Sequence, residues 1–235
     1  MTETKEVNKD LVNSMFEAGA HFGYAKSKRH PSTAPYIFGL KNRVEIFDLE
    51  KVSVSLEKAE EFVKKLASEG KQILFVTSKR EAISIIKDAA MSIDQPYVAG
   101  RFIGGTLTNF DQIQKRTSRL ETLLEQKEKG LLGKYTKKER LLIDREIEKL
   151  QERFGGIVSM KRKPAALFVV DSNHEDIAVK EAINQNIPII SLSSSDCNIS
   201  DIKYPITAND SSVASITYFS KKITEAYKAA AIKKA

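Results

Sequence analysis

Four short apolar runs, at residues 72–77, 97–99, 165–170 and 187–192, alternate with stretches of helical spacing, and this rhythm restricts the fold more than any other feature. The apolar residues within the runs are largely contiguous, as in strands covered on both faces. Helical patterns over 80–93, 174–186 and 209–231 lie between or after the runs. Parallel strands need such crossovers, so the pattern predicts an α/β fold with a parallel sheet between helical layers. The repeated order is not a sequence repeat.

Ahead of this rhythm, residues 11–19 read as a short helix with Leu11, Met15 and Ala18 on one face, followed by a Gly- and His-containing loop through Gly23. Pro31 and Pro35 punctuate a loop. Residues 36–38 and 44–49 then read as a hairpin crossing over residues 39–43, and residues 51–68 as a helix closed by Gly70.

Residues 111–154 break the alternation. They carry two charged helical stretches around Gly130-Leu131-Leu132-Gly133, and Thr136-Lys137-Lys138-Glu139 has the form of a capping box. Ile143, Ile147, Leu150 and Phe154 form a narrow stripe on the second arm; Ile113, Leu120 and Leu124 form a thinner one on the first. The expectation is an antiparallel coiled-coil hairpin at 111–154, inserted into a body made of 1–110 and 155–235.

The run Arg101-Phe102-Ile103-Gly104-Gly105-Thr106-Leu107-Thr108-Asn109-Phe110 precedes that hairpin. Paired glycines let backbone N–H groups approach an anion, Thr106 or Thr108 can cap the next helix, and Arg101 offers a forked donor. A phosphate would fit such a loop. The motif is nevertheless neither G-x-G-x-x-G nor G-x-x-x-x-G-K-[ST], so the mechanics of a mononucleotide loop are missing.

Other enzyme signatures are weak. His21, His30 and His174 are too scattered for a metal site, and Asp171-Ser172-Asn173-His174, although placed where α/β sites lie, reads first as a helix cap. Asn209-Asp210-Ser211 has the same N-cap composition. Cys197, the single cysteine, stands in a serine-rich turn without an activating neighbour and reads as an inert thiol in a reducing compartment. No cofactor and no metal are expected. The polar N-terminus and the absence of any long apolar run point to a soluble, intracellular chain without a membrane span.

A net charge of +7 favours polyanionic partners. The placement of the cations favours RNA. Lys26, Lys28, Arg29 and His30 form one cluster, Lys41 and Arg43 sit in the hairpin turn, Lys79 and Arg80 follow a strand, Arg101 opens the glycine loop, and Lys161, Arg162 and Lys163 precede another strand. Cations recurring at loops and strand ends are suited to a phosphate backbone.

These residues add up to a family resemblance. The run Val12-Asn13-Ser14-Met15-Phe16-Glu17-Ala18-Gly19-Ala20-His21-Phe22-Gly23 resembles the amino-terminal signature of bacterial small-subunit ribosomal protein two. Four further segments agree in order: Pro35-Tyr36-Ile37-Phe38-Gly39, the run from Arg101 through Phe110, Ala165-Ala166-Leu167-Phe168-Val169-Val170-Asp171, and Tyr204-Pro205-Ile206 with Asn209-Asp210. Together they span nearly the whole chain.

The resemblance implies a flavodoxin-like three-layer domain with a projecting coiled-coil hairpin and an N-terminal helix plus β-hairpin. It also implies a noncatalytic, cytoplasmic role in the small ribosomal subunit. Its partners would be small-subunit ribosomal RNA, neighbouring ribosomal proteins and, where the organism has it, ribosomal protein one. The alternative left by the residues alone is an α/β enzyme or sensor binding a nucleotide or sugar phosphate near 101–108 and 171–174. Three positions depart from the family pattern: Tyr24 stands where a second histidine is frequent, Phe102 replaces a tryptophan, and Ser195-Asp196-Cys197 replaces Thr-Asn-Cys.

Overall fold

The computed structural model describes residues 9–231, so most of the polar N-terminal segment, residues 1–8, lies outside the described residues. Helix α1 (Lys9–Glu17) leads into a small antiparallel sheet of β1 (Phe22–Ala25), β2 (Ile37–Lys41) and β3 (Val44–Phe47), in the order β1-β3-β2. The hairpin turn is tighter than the sequence pattern implied. Gly39, Leu40 and Lys41 belong to β2, and the connection is Asn42-Arg43, both at positive φ (51° and 67°), as a two-residue hairpin turn of mirror-image type requires. The strand β1 occupies what reads as loop, because its four residues carry no alternation to betray it.

Helix α2 (Leu49–Ser68) starts on Asp48, whose carboxylate accepts from Glu50 N–H at 3.2 Å. Then come β4 (Ile73–Thr77), α3 (Arg80–Met91), β5 (Tyr97–Ala99), α4 (Phe110–Glu128), α5 (Lys137–Phe154), β6 (Ala166–Val170), α6 (Asp176–Asn184), β7 (Ile189–Ser193), β8 (Tyr204–Thr207) and α7 (Val213–Ala231). The last strand, β8, was not legible as one. It is four residues long and contains Pro205, which a sheet tolerates at the edge where β8 lies.

Strands β4 to β8 form one parallel sheet in the order β5-β4-β6-β7-β8. Counted within the sheet this is 2-1-3-4-5, the flavodoxin-like doubly wound order. Alternate residues of each strand feed opposite layers. Ile73, Phe75, Phe168 and Val170 pack with α2, α3 and α7, while Leu74, Val76, Leu167 and Val169 pack with α6 and with the bases of α4 and α5. Full burial of every residue of β4, β6 and β7 explains their contiguous apolar sequences.

The connection from β5 to β6 carries α4 and α5. Arg119 meets Glu146 at 3.2 Å and Lys127 meets Asp144 at 2.7 Å, so the two helices run antiparallel. Leu120, Leu123 and Ile147 make a small apolar seam of their own, and Ile113 and Phe154 at the base join the main sheet layer. Leu123 takes the buried position expected for Leu124, which is half-buried. Thr136 and Glu139 form the capping box at the start of α5.

Candidate nucleic-acid interface

In a doubly wound sheet the ligand crevice opens at the carboxyl ends of the two strands where the order reverses, here β4 and β6. The protein's own charges fill that place. The Lys79 ammonium lies 3.1 Å from Asp171 Oδ2 and 2.9 Å from Asp210 Oδ1. Beside it, Ser78 donates from both its N–H and its hydroxyl to the Glu175 carboxylate. Burial raises the Glu175 carboxyl, and the bonds from Ser78 offset part of that rise.

One cation here serves two carboxylates. Burial alone would lower the Lys79 ammonium, but Asp210 and Asp171 outweigh it and hold the group above its ordinary value. Burial also pushes Asp210 up to about 6, with repulsion from Asp171 adding to the rise and Lys79 opposing it. The two shifts pull in opposite senses for a simple ion pair. They are reconciled by the charge count, since lysine neutralises one carboxylate and the excess negative charge falls on the fully buried Asp210, whose Oδ2 has no hydrogen-bond partner. The Cys197 thiol is pushed up to about 12 by burial and by Asp171, as befits an inert thiol.

Asp171, Cys197 and Asp210 bring potential ligand atoms within 4.8 Å of one another, yet the Lys79 ammonium already takes a cation's place on both carboxylates. The capping readings change accordingly. Asp171 Oδ1 accepts from His174 N–H at 3.0 Å in a turn ahead of α6, with Asp171 at φ 67°, while the N-cap position belongs to Glu175. Asn209, not Asp210, supports the entry to α7, accepting from Ser211 and Ser212 N–H.

The glycine loop is an anion cradle that already holds an anion. Glu181, projecting from α6 and only 9% exposed, accepts from the N–H of Gly105, from Leu107 N–H at 2.9 Å and from Thr108 N–H at 3.2 Å. Gly105 sits at φ +94°, where a side chain would be strained. The place where a phosphate would fit is thus taken by an internal carboxylate. Neither threonine caps the next helix: the N-cap of α4 is Asn109, and the Thr106 hydroxyl turns back to Ile103 O at 2.6 Å. Nothing near the loop in sequence marks Glu181 as its partner, which stands more than seventy residues downstream.

The sequence-derived cations divide by environment. Arg29 reaches the buried Glu45 at 3.1 Å, and Lys79 is enclosed as described. His30 Nδ1 accepts from Ser32 N–H at 3.3 Å, and its own N–H donates to Ser195 O at 2.8 Å. Tyr24 N–H donates to Ser195 Oγ at 2.9 Å and the Thr33 hydroxyl to Ser195 O at 3.0 Å, so the basic segment is strapped over the carboxyl end of β7. The substituted Ser195 therefore keeps a hydrogen-bonding role. Lys28 lies 5.5 Å from the centre of the Tyr24 ring, a cation–π arrangement.

Lys26, Lys28, Lys41, Arg43, Arg80, Arg101, Lys161, Arg162 and Lys163 are exposed. Arg80 and Arg101 share the carboxyl edge of the sheet with the 26–30 segment. Lys41 and Arg43 lie at the tip of the small hairpin, and residues 161–163 at the opposite, amino edge, where Lys163 bonds Gln185 Oε1. The twelve residues therefore do not form one patch. Among the described residues no helix is long and apolar enough to cross a membrane.

Comparison with known proteins bears on this geometry. The profile of the family described as Ribosomal protein S2 matches residues 15–230. The small ribosomal subunit protein uS2 of Roseiflexus castenholzii is 42% identical over 215 residues, covering 92% of this chain and 82% of that protein. The protein of the same name from Flavobacterium johnsoniae is 40% identical over 219 residues, covering 93% and 86%.

Proposed function

The chain belongs to the ribosomal protein S2 family, and from that premise we propose that it binds small-subunit ribosomal RNA through the exposed cations along the carboxyl edge of its sheet. It is a structural constituent of the small ribosomal subunit and not an enzyme. The observation that carries the RNA reading is the contrast at the carboxyl edge. The crevice in which a related fold would hold a small ligand is filled by Lys79, Asp171, Asp210 and Glu175, and the glycine loop by Glu181, whereas Lys26, Lys28, Arg80 and Arg101 remain exposed. Backbone phosphates are the ligands such solvent-facing cations suit, and the shape of the RNA supplies the specificity.

Residues 111–154 act in this reading as an inserted unit, a coiled-coil arm reaching a neighbouring ribosomal protein. Its outer half exposes Leu131, Leu141 and Leu142, an apolar surface with the chemistry of a protein contact. Ribosomal protein one, where present, is among the proteins such a surface can serve. The setting is the cytoplasmic small subunit.

Binding of an in vitro transcript of small-subunit ribosomal RNA across a salt series tests the RNA reading. The Lys26→Ala/Lys28→Ala variant is expected to bind more weakly with a shallower salt dependence; an unchanged slope removes this surface from the interface. Deleting residues 112–153 tests the arm, and recruitment of every ribosomal protein to the resulting subunits would end that part of the reading. Saturable nucleotide binding in calorimetry, without RNA binding, would instead favour the enzyme or sensor alternative.

A further inference from the structure

Between α3, the free edge of β5 and the base of α5 lies a cleft of about 350 Å³. That is near the lower end of the roughly 300–1,000 Å³ typical of small-ligand sites. Lys87 enters from α3, Tyr97 and Ala99 from β5, Arg101 from the residue pair after it, and Glu152 and Arg153 from the last turn of α5. The three cations are exposed, and among the described residues none of them is engaged in an ion pair or hydrogen bond. With Glu152 as the only lining carboxylate beside them, the cleft is positively charged.

Its wall also carries free backbone groups. On the inner side of β5, Phe75 N–H donates to Pro96 O at 3.0 Å and Gly100 N–H to Thr77 O at 2.7 Å. In a parallel ladder this phase directs the groups of residues 96, 98 and 100 towards β4 and those of Ala99 away from it. Among the described residues no protein group meets the N–H or C=O of the half-buried Ala99. An adjacent donor and acceptor at a fixed strand edge complement a base edge that offers an acceptor beside a donor. Gly156 keeps the opposite wall in place, since a Cβ there would come within 2.2 Å of Tyr97 O. The cleft is therefore held by backbone packing.

We propose that this cleft receives one extruded nucleotide of an RNA strand, with its phosphate on Arg101, Arg153 and Lys87 and its base edge on the Ala99 backbone. The inference rests on the RNA-binding reading and adds Lys87 and Arg153, which sequence spacing does not single out. An RNA strand suits the site better than a free nucleotide because the cations stand exposed, where a continuous backbone passes. The glycine loop, the place suited to a terminal phosphate, is occupied by Glu181.

The test uses the full chain with two probes, a 4-thiouridine-substituted transcript of small-subunit ribosomal RNA and free AMP. Arg101→Ala/Arg153→Ala is expected to lose the photocrosslink to residues 97–101 and to flatten the log–log salt slope by about 0.7, the loss of one single-strand phosphate. Arg101→Lys/Arg153→Lys should retain the slope. Lys137→Ala/Lys138→Ala removes the same charge from exposed positions at the start of α5 and should keep the crosslink. An equal loss in that control, an unchanged crosslink in the cleft variant, or AMP binding that RNA does not displace would each overturn the proposal. If wild type binds RNA and the Lys26/Lys28 variant weakens while the cleft variant matches wild type, only the cleft assignment falls; if wild type does not bind RNA, the broader reading falls with it.

Discussion

Lys79 and Arg101 occupy comparable places in neighbouring strand-to-loop connections, two residues beyond the ends of β4 and β5, and look alike in the sequence as cations after apolar runs. Their environments are opposite. Lys79 is 14% exposed and shared by two carboxylates from beyond β6 and β8, whereas Arg101 is exposed and unpaired beside the edge strand. Position in the sheet order accounts for the difference. Strand β4 lies inside the sheet, where the carboxyl-end loops of other strands converge, and β5 has a neighbour on one side only. A central cation becomes part of the scaffold, and an edge cation stays available to a partner.

Removing the central cation is the most severe challenge to this contrast. Lys79→Met leaves Asp171 and Asp210 buried with no counter-ion, and stripping one partner from a buried charge cluster costs about 3–5 kcal/mol. Urea denaturation should show a loss of that order at neutral pH. A loss as small as that of an exposed lysine would mean that Lys79 is not an internal strut.

Next in size is the second internal anion. Glu181→Ala strands the N–H groups of Gly105, Leu107 and Thr108. Thr108 is exposed and water can replace its partner, but leaving the buried Leu107 and half-buried Gly105 donors unsatisfied costs about 2–4 kcal/mol in total. Hydrogen exchange should accelerate at those three amides before it does in β4 or β6. Uniform acceleration would show that the loop is held by something other than this carboxylate.

The excess negative charge at the centre gives stability a pH dependence of on the order of 1–3 kcal/mol. Asp210 titrates near 6 in the folded protein against an ordinary 3.8. Because the folded value is the higher one, its contribution is fully present below about pH 4 and fades as pH rises through 6. Lys79 stays protonated throughout. Asp210→Asn should therefore hold its stability between pH 4 and 7 better than wild type does, with Asp171 still neutralising Lys79; parallel pH profiles would place the excess charge elsewhere.

What the sequence disclosed, and what it hid, follows the same division. Strands β4, β6 and β7 were legible because both faces are buried, and β5 because its three residues are apolar and bounded by Pro96 and Gly100. The strand β8 was hidden by Pro205, and β1 by its brevity and half-exposure. Pairings over long separations left no local trace. Arg29 with Glu45, Lys79 with Asp171 and Asp210, and Glu181 with the glycine loop each join segments that only the folded chain brings together. The glycine loop illustrates this limit, since its residues correctly indicate an anion and say nothing of its origin. Exposed cations such as Lys26 and Arg101 could be proposed from spacing because their environment is mainly solvent.

The smallest expected stability effect completes the contrast. Arg101→Ala removes an exposed side chain with no protein partner, and such surface changes usually remain within about 0.5 kcal/mol. Its thermal unfolding should overlay wild type while its RNA binding weakens, the reverse of a residue built into the scaffold. A destabilisation approaching that of Lys79→Met would mean that Arg101 also holds the fold together. The distinction between central and edge cations would then fail, because the edge of β5 would depend on its own cation as β4 does.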